Sequence, residues 1–464
     1  MKEIKIAYLG GGSKQWARVF MNDLTLSADL MGEIALYDID KESALINQAI
    51  GQRFNKNPDA RTTWNYVVYD HIEDALKKAD FVVISILPGA FTEMNSDVHT
   101  PEKYGIYQSV GDTTGPGGVL RAMRTVPIFA YFAEVIRKWA PRAWVINFTN
   151  PMSICVKTLY DVYPEIKAFG CCHEVFHTQD FLCKVLLETK NISVSREQIY
   201  TDVAGINHFT WISEAKYQDI DILQLLDAFI DRYYETGYNE KGDANEYQTN
   251  CFAYANRVKM DLYKKYRVLG AAGDRHLVEF VNNSWYLSSP AMVNDWKFAL
   301  TKVDFRQARQ LERIAESKLM AMGKKEVKLE KSTEEAVELM KAILGLTAKI
   351  SNVNLPNYGQ IEGFPLGAIV ESNALFTHDT VKPVMTKPLP LAVKNLVLRN
   401  LLNQENVYEA IKERNLEKIY LSLKNDPLCS NVNDDEIRKM FVEMIRHTRG
   451  YLEQYFAIDD FLAR

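Results

Sequence analysis

A chain of 464 residues with a net charge of −5 lacks the basic surface of a general nucleic-acid binder and is too mildly charged to carry an acidic interaction tail. Hydrophobic residues make up 47% and charged residues 25%, the balance of a globular enzyme long enough for two domains. Residues 1–9 run directly into a strand without a secretory pattern, and no apolar run reaches the ~18–20 residues of a membrane span, so a cytoplasmic protein with no membrane partner is expected.

The first strand is predicted over 4–9 and ends in Gly10-Gly11-Gly12-Ser13, with a helix over 16–26 after it. A strand over 33–37 closes on Asp38, and a helix at 42–54, a strand at 66–68 and a helix at 72–78 follow. The run FVVISIL at 81–87 is apolar throughout and rich in β-branched residues, as in a strand buried on both faces of a parallel sheet. A helix at 126–139 leads to a buried strand at 144–148 and a short one at 166–170. This alternation predicts an α/β fold, a Rossmann-type doubly wound parallel sheet over 1–190. Beyond it the rhythm changes. Segments 248–266, 305–322 and 333–346 read as helices, 235–245 and 352–363 as polar loops, and strand candidates thin out. Residues 191–464 are therefore expected to form a mixed, helix-rich α+β domain that completes the active site. The six cysteines fit buried thiols better than a disulfide framework in a chain of this size.

Strand, glycine turn, helix, strand and acid form one unit. Gly10, Gly11, Gly12 and Ser13 permit close approach of a diphosphate to a helix N-terminus, and Asp38 can accept hydrogen bonds from ribose hydroxyls. A carboxylate there repels a 2′-phosphate, which favours NAD over NADP. Gln15 stands where the last glycine of the pattern is usual, and a plain structural turn is the competing reading. Five further segments combine polar residues with turn chemistry: QSVGDTTGPGG (108–118), NFTNPM (147–152), CCHE (171–174), GINHF (205–209) and AGDRH (272–276). By residue type alone, Cys172 and His208 could form part of a metal site with an open face, against the plainer readings of a core thiol and a structural histidine.

Taken together and in this order, the glycine turn with Asp38 and the GDTTGPGG, NPM, CHEV and NHF segments resemble glycoside hydrolase family 4 over essentially the whole chain. His173 and Glu174 after the cysteine are similar to the non-phosphorylated α-glycosidases of that family. The wording of QSVGDTTGPGG, GCCHEVF, GINHFTW and AAGDRHL is similar to its α-galacturonidase branch. The resemblance implies cleavage of α-linked uronides by oxidation at C3 with NAD, deprotonation at C2, elimination, and addition of water, outside the two-carboxylate logic of most glycosidases. It implies Cys172 and His208 as ligands of Mn²⁺, Asn150 as a contact to the sugar hydroxyls, Asp112 as general acid and Asp274 as the base at C2. The adjacent Cys171 leaves the ligand open by one position, the CHEV register favouring Cys172.

A uronate carboxylate needs a cation. Arg275 and His276 are candidates beside the implied base, Arg275 as a bidentate clamp, with a structural Arg275–Glu279 helix pair as the alternative. Arg121 and Arg124 are further cations, and His173 and Glu174, with His99 and His177, are candidates to line the pocket. A homodimer or homotetramer is also implied. The alternatives are α-glucosidase, α-galactosidase or α-glucuronidase activity in the same family, an NAD-dependent 2-hydroxy-acid dehydrogenase, and a non-catalytic NAD-binding sensor.

Overall fold

The computed structural model describes residues 1–463. Its first six strands are β1 (Lys2–Leu9), β2 (Leu30–Tyr37), β3 (Trp64–Val68), β4 (Phe81–Ile84), β5 (Trp144–Asn147) and β6 (Lys167–Gly170). They pair in parallel in the order β3-β2-β1-β4-β5-β6, the doubly wound arrangement that binds dinucleotides at the crevice where the order reverses. Both faces of this sheet are covered, which is why its strands read as continuous apolar runs. In β1, Ile6 and Tyr8 enter one core with Phe20 and Phe81, while Ala7 and Leu9 enter another with Phe129 and Ile136.

The sheet does not stop at β6. Seven more strands extend or flank it: β7 (Tyr200–Ile206), β8 (Phe209–Tyr217), β9 (Ile220–Asp221), β10 (Leu269–Gly270), β11 (Lys349–Pro356), β12 (Ile369–Thr377) and β13 (Thr380–Pro383). β11 joins β6 antiparallel at Asn354 and Gly170, and β12, β7, β8 and β10 continue the same sheet outward. The expected thinning of strands after residue 190 is thus corrected, and so is the polar loop at 352–363. In β11, Val353 and Leu355 face the core, while Asn352 and Asn354 are buried on the opposite side. The asparagines hide the strand because their amide nitrogens bond to side chains distant in sequence: Asn352 Nδ2 donates to Glu371 at 2.9 Å, and Asn354 Nδ2 to Asn207 Oδ1 at 3.4 Å.

Two helices also differ from expectation. The helix expected over 126–139 runs from Gly115 to Trp139 and passes through Pro127. Its glycine-rich start reads as a loop locally, but it is held from far along the chain. The Asp426 carboxylate accepts from Gly115 N at 2.9 Å and Thr114 Oγ1 at 3.0 Å, and Gln108 Oε1 accepts from Gly117 N at 2.9 Å. Within 248–266 the α-helix is only Arg257–Tyr266, entered through Asn256 at φ +54°. Among the described residues no helix is long and apolar enough to cross a membrane.

Candidate active site

The glycine turn sits at the C-terminal edge of β1. Gly10 has φ +100°, and a Cβ there would lie 2.0 Å from Ser85 O, so only glycine fits. Gly10 N and Gly11 N both donate to Tyr37 O at 2.9 Å, and Gly12 N donates to Asp38 Oδ2 at 2.8 Å. Asp38 Oδ1 accepts from Asp40 N at 2.8 Å, and Ser13 Oγ accepts from Trp16 N at 3.1 Å at the mouth of helix Trp16–Thr25. Burial raises the Asp38 carboxyl above its ordinary range while the two amides pull it back. Asp38 and the helix mouth thus stand together at the ends of β1 and β2, and these residues fit a dinucleotide: the turn for its diphosphate, Asp38 for a ribose.

The segments predicted to carry chemistry gather at the C-terminal ends of the strands beyond β1. The 108–114 loop is pinned by Glu279, whose Oε1 accepts from Val110 N at 2.8 Å and Gly111 N at 3.0 Å. That contact presents Asp112. Burial opposes ionisation of Asp112, but Arg121 first, then His208, His276 and Arg306, bring it down to about 2. The carboxylate can only accept, so Thr113 Oγ1, 2.8 Å from Asp112 Oδ1, donates to it. The same hydroxyl lies 2.9 Å from His208 Nδ1 and must therefore accept there. His208 then carries its proton on Nδ1 and leaves Nε2 as a free lone pair. Burial and the neighbouring His276, whose ring centroid is 3.8 Å away, lower His208 to about 3, which keeps the imidazole neutral. A neutral imidazole with its second nitrogen anchored is the form that binds a divalent metal.

Cys172 follows β6 and is buried beside Met152, Val156 and Ile369, with burial and then Glu371 pushing its thiol well up. A cation would have to displace that proton, as metals do at thiol ligands. One turn on, donor atoms of His173, Glu174 and His177 lie within 4.8 Å of one another. Although burial disfavours its charge, His276, His177 and His173 hold Glu174 well below its usual range. Its Oε2 accepts from Gly273 N at 2.7 Å, and Oε1 is 3.5 Å from His276 Nε2. His173 stacks on Trp16 of the first helix at 5.6 Å, so it stands between the glycine turn and these donors. These grouped donors, two imidazoles and a carboxylate, fit a divalent transition metal. Asn150 follows β5, its carbonyl accepting from Arg121 Nε at 3.0 Å and its Oδ1 from Asn207 Nδ2 at 3.4 Å. Through Asn207 it reaches Asn354 of β11, a link that the loop reading of 352–363 concealed.

Two expected residues serve the scaffold. Asp274 is fully buried and accepts from Lys259 N at 2.9 Å and Val258 N at 3.2 Å, so both its oxygens hold the start of helix Arg257–Tyr266. Burial raises it to about 6 against Lys259 and those amides. With no exposed surface in the ligand-free chain, it is placed to position its segment. Arg275 donates from Nε to Ala299 O at 3.0 Å and from Nη2 to Thr301 Oγ1 at 2.9 Å and to Ser109 O. It neither clamps an open site nor pairs with Glu279, which holds the 108–114 loop instead. Arg124 pairs with Asp97 in the core. Sequence reasoning missed Arg306 and Glu371. Neither lies in a turn motif, and no local pattern links either to the site.

A glycine turn for a dinucleotide beside a metal-competent cluster defines the class. Residues 5–188 match Family 4 glycosyl hydrolase and residues 203–429 match the Family 4 glycosyl hydrolase C-terminal domain, and the chain belongs to this family. It is 50% identical over 450 residues to an alpha-galacturonidase of Thermoanaerobacter italicus, covering 97% of each chain. A solved Bacillus subtilis structure, provisionally described as a glucosidase, superposes with TM-score 0.90 at 43% identity over 96% of this chain and 100% of the other. At 20% identity, the Thermotoga maritima 6-phospho-beta glucosidase solved with manganese, NAD+ and glucose-6-phosphate shares the fold with TM-score 0.75, over 97% of this chain and 99% of the other.

Proposed function

We propose that this chain hydrolyses α-linked galacturonides, using NAD and a divalent cation, Mn²⁺ foremost. The observation that carries the reading is the His173–Glu174–His177 donor group, which adjoins His208 through His276 and is joined to the helix after the glycine turn by His173 stacked on Trp16, in a family 4 chain whose 50% identical relative bears that name. When bound, the dinucleotide supplies reversible hydride exchange with sugar C3, and the cation supplies Lewis-acid polarisation of the C2 and C3 oxygens.

The chain's own residues do the rest. Asp38 and the mouth of helix Trp16–Thr25 orient the dinucleotide, and the glycines leave room for its diphosphate. Cys172 and His208 Nε2 hold the cation, with the His173–Glu174–His177 group as neighbouring donors. Asn150, steadied through Asn207 and Asn354, meets the sugar hydroxyls. Asp112 faces the leaving group as acid. The cationic ring around it favours its charged form in the ligand-free chain, so its acid role requires that ring to be neutralised as substrate enters. Glu174 Oε1, the unprotonated member of its pair with His276, takes the proton of C2, while Asp274 fixes that segment from behind.

The test is 4-nitrophenyl α-D-galacturonide with NAD⁺, Mn²⁺ and a thiol reductant, each omitted in turn, with nitrophenol and net NADH followed together. Hydrolysis that needs both NAD⁺ and Mn²⁺ without accumulating NADH is expected. Stoichiometric NADH from a hydroxy acid would overturn the reading in favour of a dehydrogenase.

A further inference from the structure

The four guanidinium groups around the 108–114 loop divide into two kinds. Arg124 is matched by the Asp97 carboxylate, and Arg275 is committed to Ser109, Ala299 and Thr301. Arg121 and Arg306 have no carboxylate within 4.0 Å among the described residues. Arg121 uses Nε on Asn150 O, which leaves both terminal nitrogens without a protein acceptor there. Arg306, near the start of helix Val303–Met322, has a weak contact from Nη2 to Thr301 Oγ1 at 3.4 Å and stands 5.5 Å from the ring centre of Phe252. Its Nε is buried with no hydrogen-bond partner among the described residues.

The charges of both arginines reach Asp112 and one another. Arg306 meets the 108–114 loop through Thr301, whose Oγ1 donates to Ser109 O at 2.8 Å, so two guanidinium groups without a carboxylate partner attend the loop that carries Asp112. A buried charge without a partner is costly, and an unsatisfied charged N–H more so, unless a ligand supplies the missing anion. A neutral glycoside would leave the excess uncompensated. A uronide brings one carboxylate, and the guanidinium of Arg306, held by a single 3.4 Å contact and with an unpartnered Nε, is the group able to turn a fork of donors toward it.

We propose that Arg306, with Arg121 as the second cation of the Asp112 pocket, binds the substrate carboxylate and sets the preference for uronides over neutral glycosides. This rests on the galacturonide reading above. It gives Arg306 the role that position in the sequence suggests for Arg275.

The experiment compares kcat/KM for 4-nitrophenyl α-D-galacturonide and for its methyl ester, which keeps the sugar but loses the charge, in the wild-type chain, Arg306→Gln and Arg306→Lys. Binding of free D-galacturonate by calorimetry is the second readout. The acid-to-ester ratio is expected to fall about a hundredfold in Arg306→Gln, with galacturonate affinity falling in parallel and Arg306→Lys recovering part of both. An unchanged ratio and unchanged galacturonate binding in Arg306→Gln would overturn the proposal while leaving the galacturonide reading standing. A wild-type chain that does not prefer the acid over the ester would bring down both.

Discussion

Thr113 Oγ1 stands 2.9 Å from His208 Nδ1, and this contact decides which imidazole nitrogen is open to a metal. Because the hydroxyl also donates to Asp112, it ties the expected acid to the expected metal ligand. Thr113→Val removes both contacts at nearly constant volume. Mn²⁺ affinity, read by titration of the Mn²⁺ electron paramagnetic resonance signal, is expected to weaken about 10- to 100-fold, as for other lost partners of metal-bound histidines. Thr113→Ser should hold the wild-type value. Equal affinity in the valine variant would show that His208 does not need this anchor.

Asp38 joins the glycine turn to the end of β2 through Gly12 N at 2.8 Å. Asp38→Ala takes away a charged acceptor for both the turn and a ribose. NAD⁺ binding, followed by fluorescence, is expected to weaken by about tenfold or more, and discrimination against NADP⁺ to narrow because the repulsive charge has gone. Unaltered NAD⁺ affinity would place the cofactor elsewhere.

Arg275 and Arg306 both stand 5.5 Å from the ring centre of Phe252, yet they are expected to behave oppositely. Arg275→Ala removes three hydrogen bonds that brace the 108–114 loop, leaving Ala299 O without its donor, and is expected to cost about 3 kcal/mol of stability, visible as a clear drop in Tm. Arg306→Gln breaks only a 3.4 Å contact and should shift Tm by about 1 °C or less. Similar losses of Tm in both variants would make Arg306 a scaffold residue too.

Glu371 is buried between Asn352 and Asn354, and burial raises it from an ordinary 4.5 to about 8 despite those amides. Between these values the folded chain keeps a proton that the unfolded chain has released. The pH-dependent part of its contribution is therefore full below about pH 4.5 and is lost as pH rises through about 8. In the metal-free protein, Glu371→Gln cannot ionise, so its Tm should fall less than that of the wild type between pH 5 and pH 9, by about 3 °C. Parallel Tm curves would mean that Glu371 does not carry this proton.

The parallel half of the fold was legible because its strands are buried on both faces: runs such as FVVI and WVIN permit few other readings. The glycine turn was legible for a steric reason, since Gly10 has no room for a Cβ beside Ser85 O. Cys172, His208 and Asn150 could be singled out because each lies in a short polar turn after a strand, and Asp112 because it lies in the glycine-rich turn before helix Gly115–Trp139; the order of those turns carried the family. β11 was not legible. Asn352 and Asn354 look like loop residues until Glu371 and Asn207, distant in sequence, are brought against them.

The sequence by itself therefore determined the doubly wound half, the dinucleotide turn and the family of glycosidases to which the chain belongs, because those rest on local sterics and short-range periodicity. Only the tertiary structure decided which charged residues face the pocket. Asp274 and Arg275 sit in a motif that reads as catalytic, but one caps a helix and the other braces a loop, whereas Arg306, in no motif at all, has no carboxylate partner among the described residues. Whether a buried charge is matched depends on the groups that distant segments bring to it, and spacing along the chain carries no trace of that pairing.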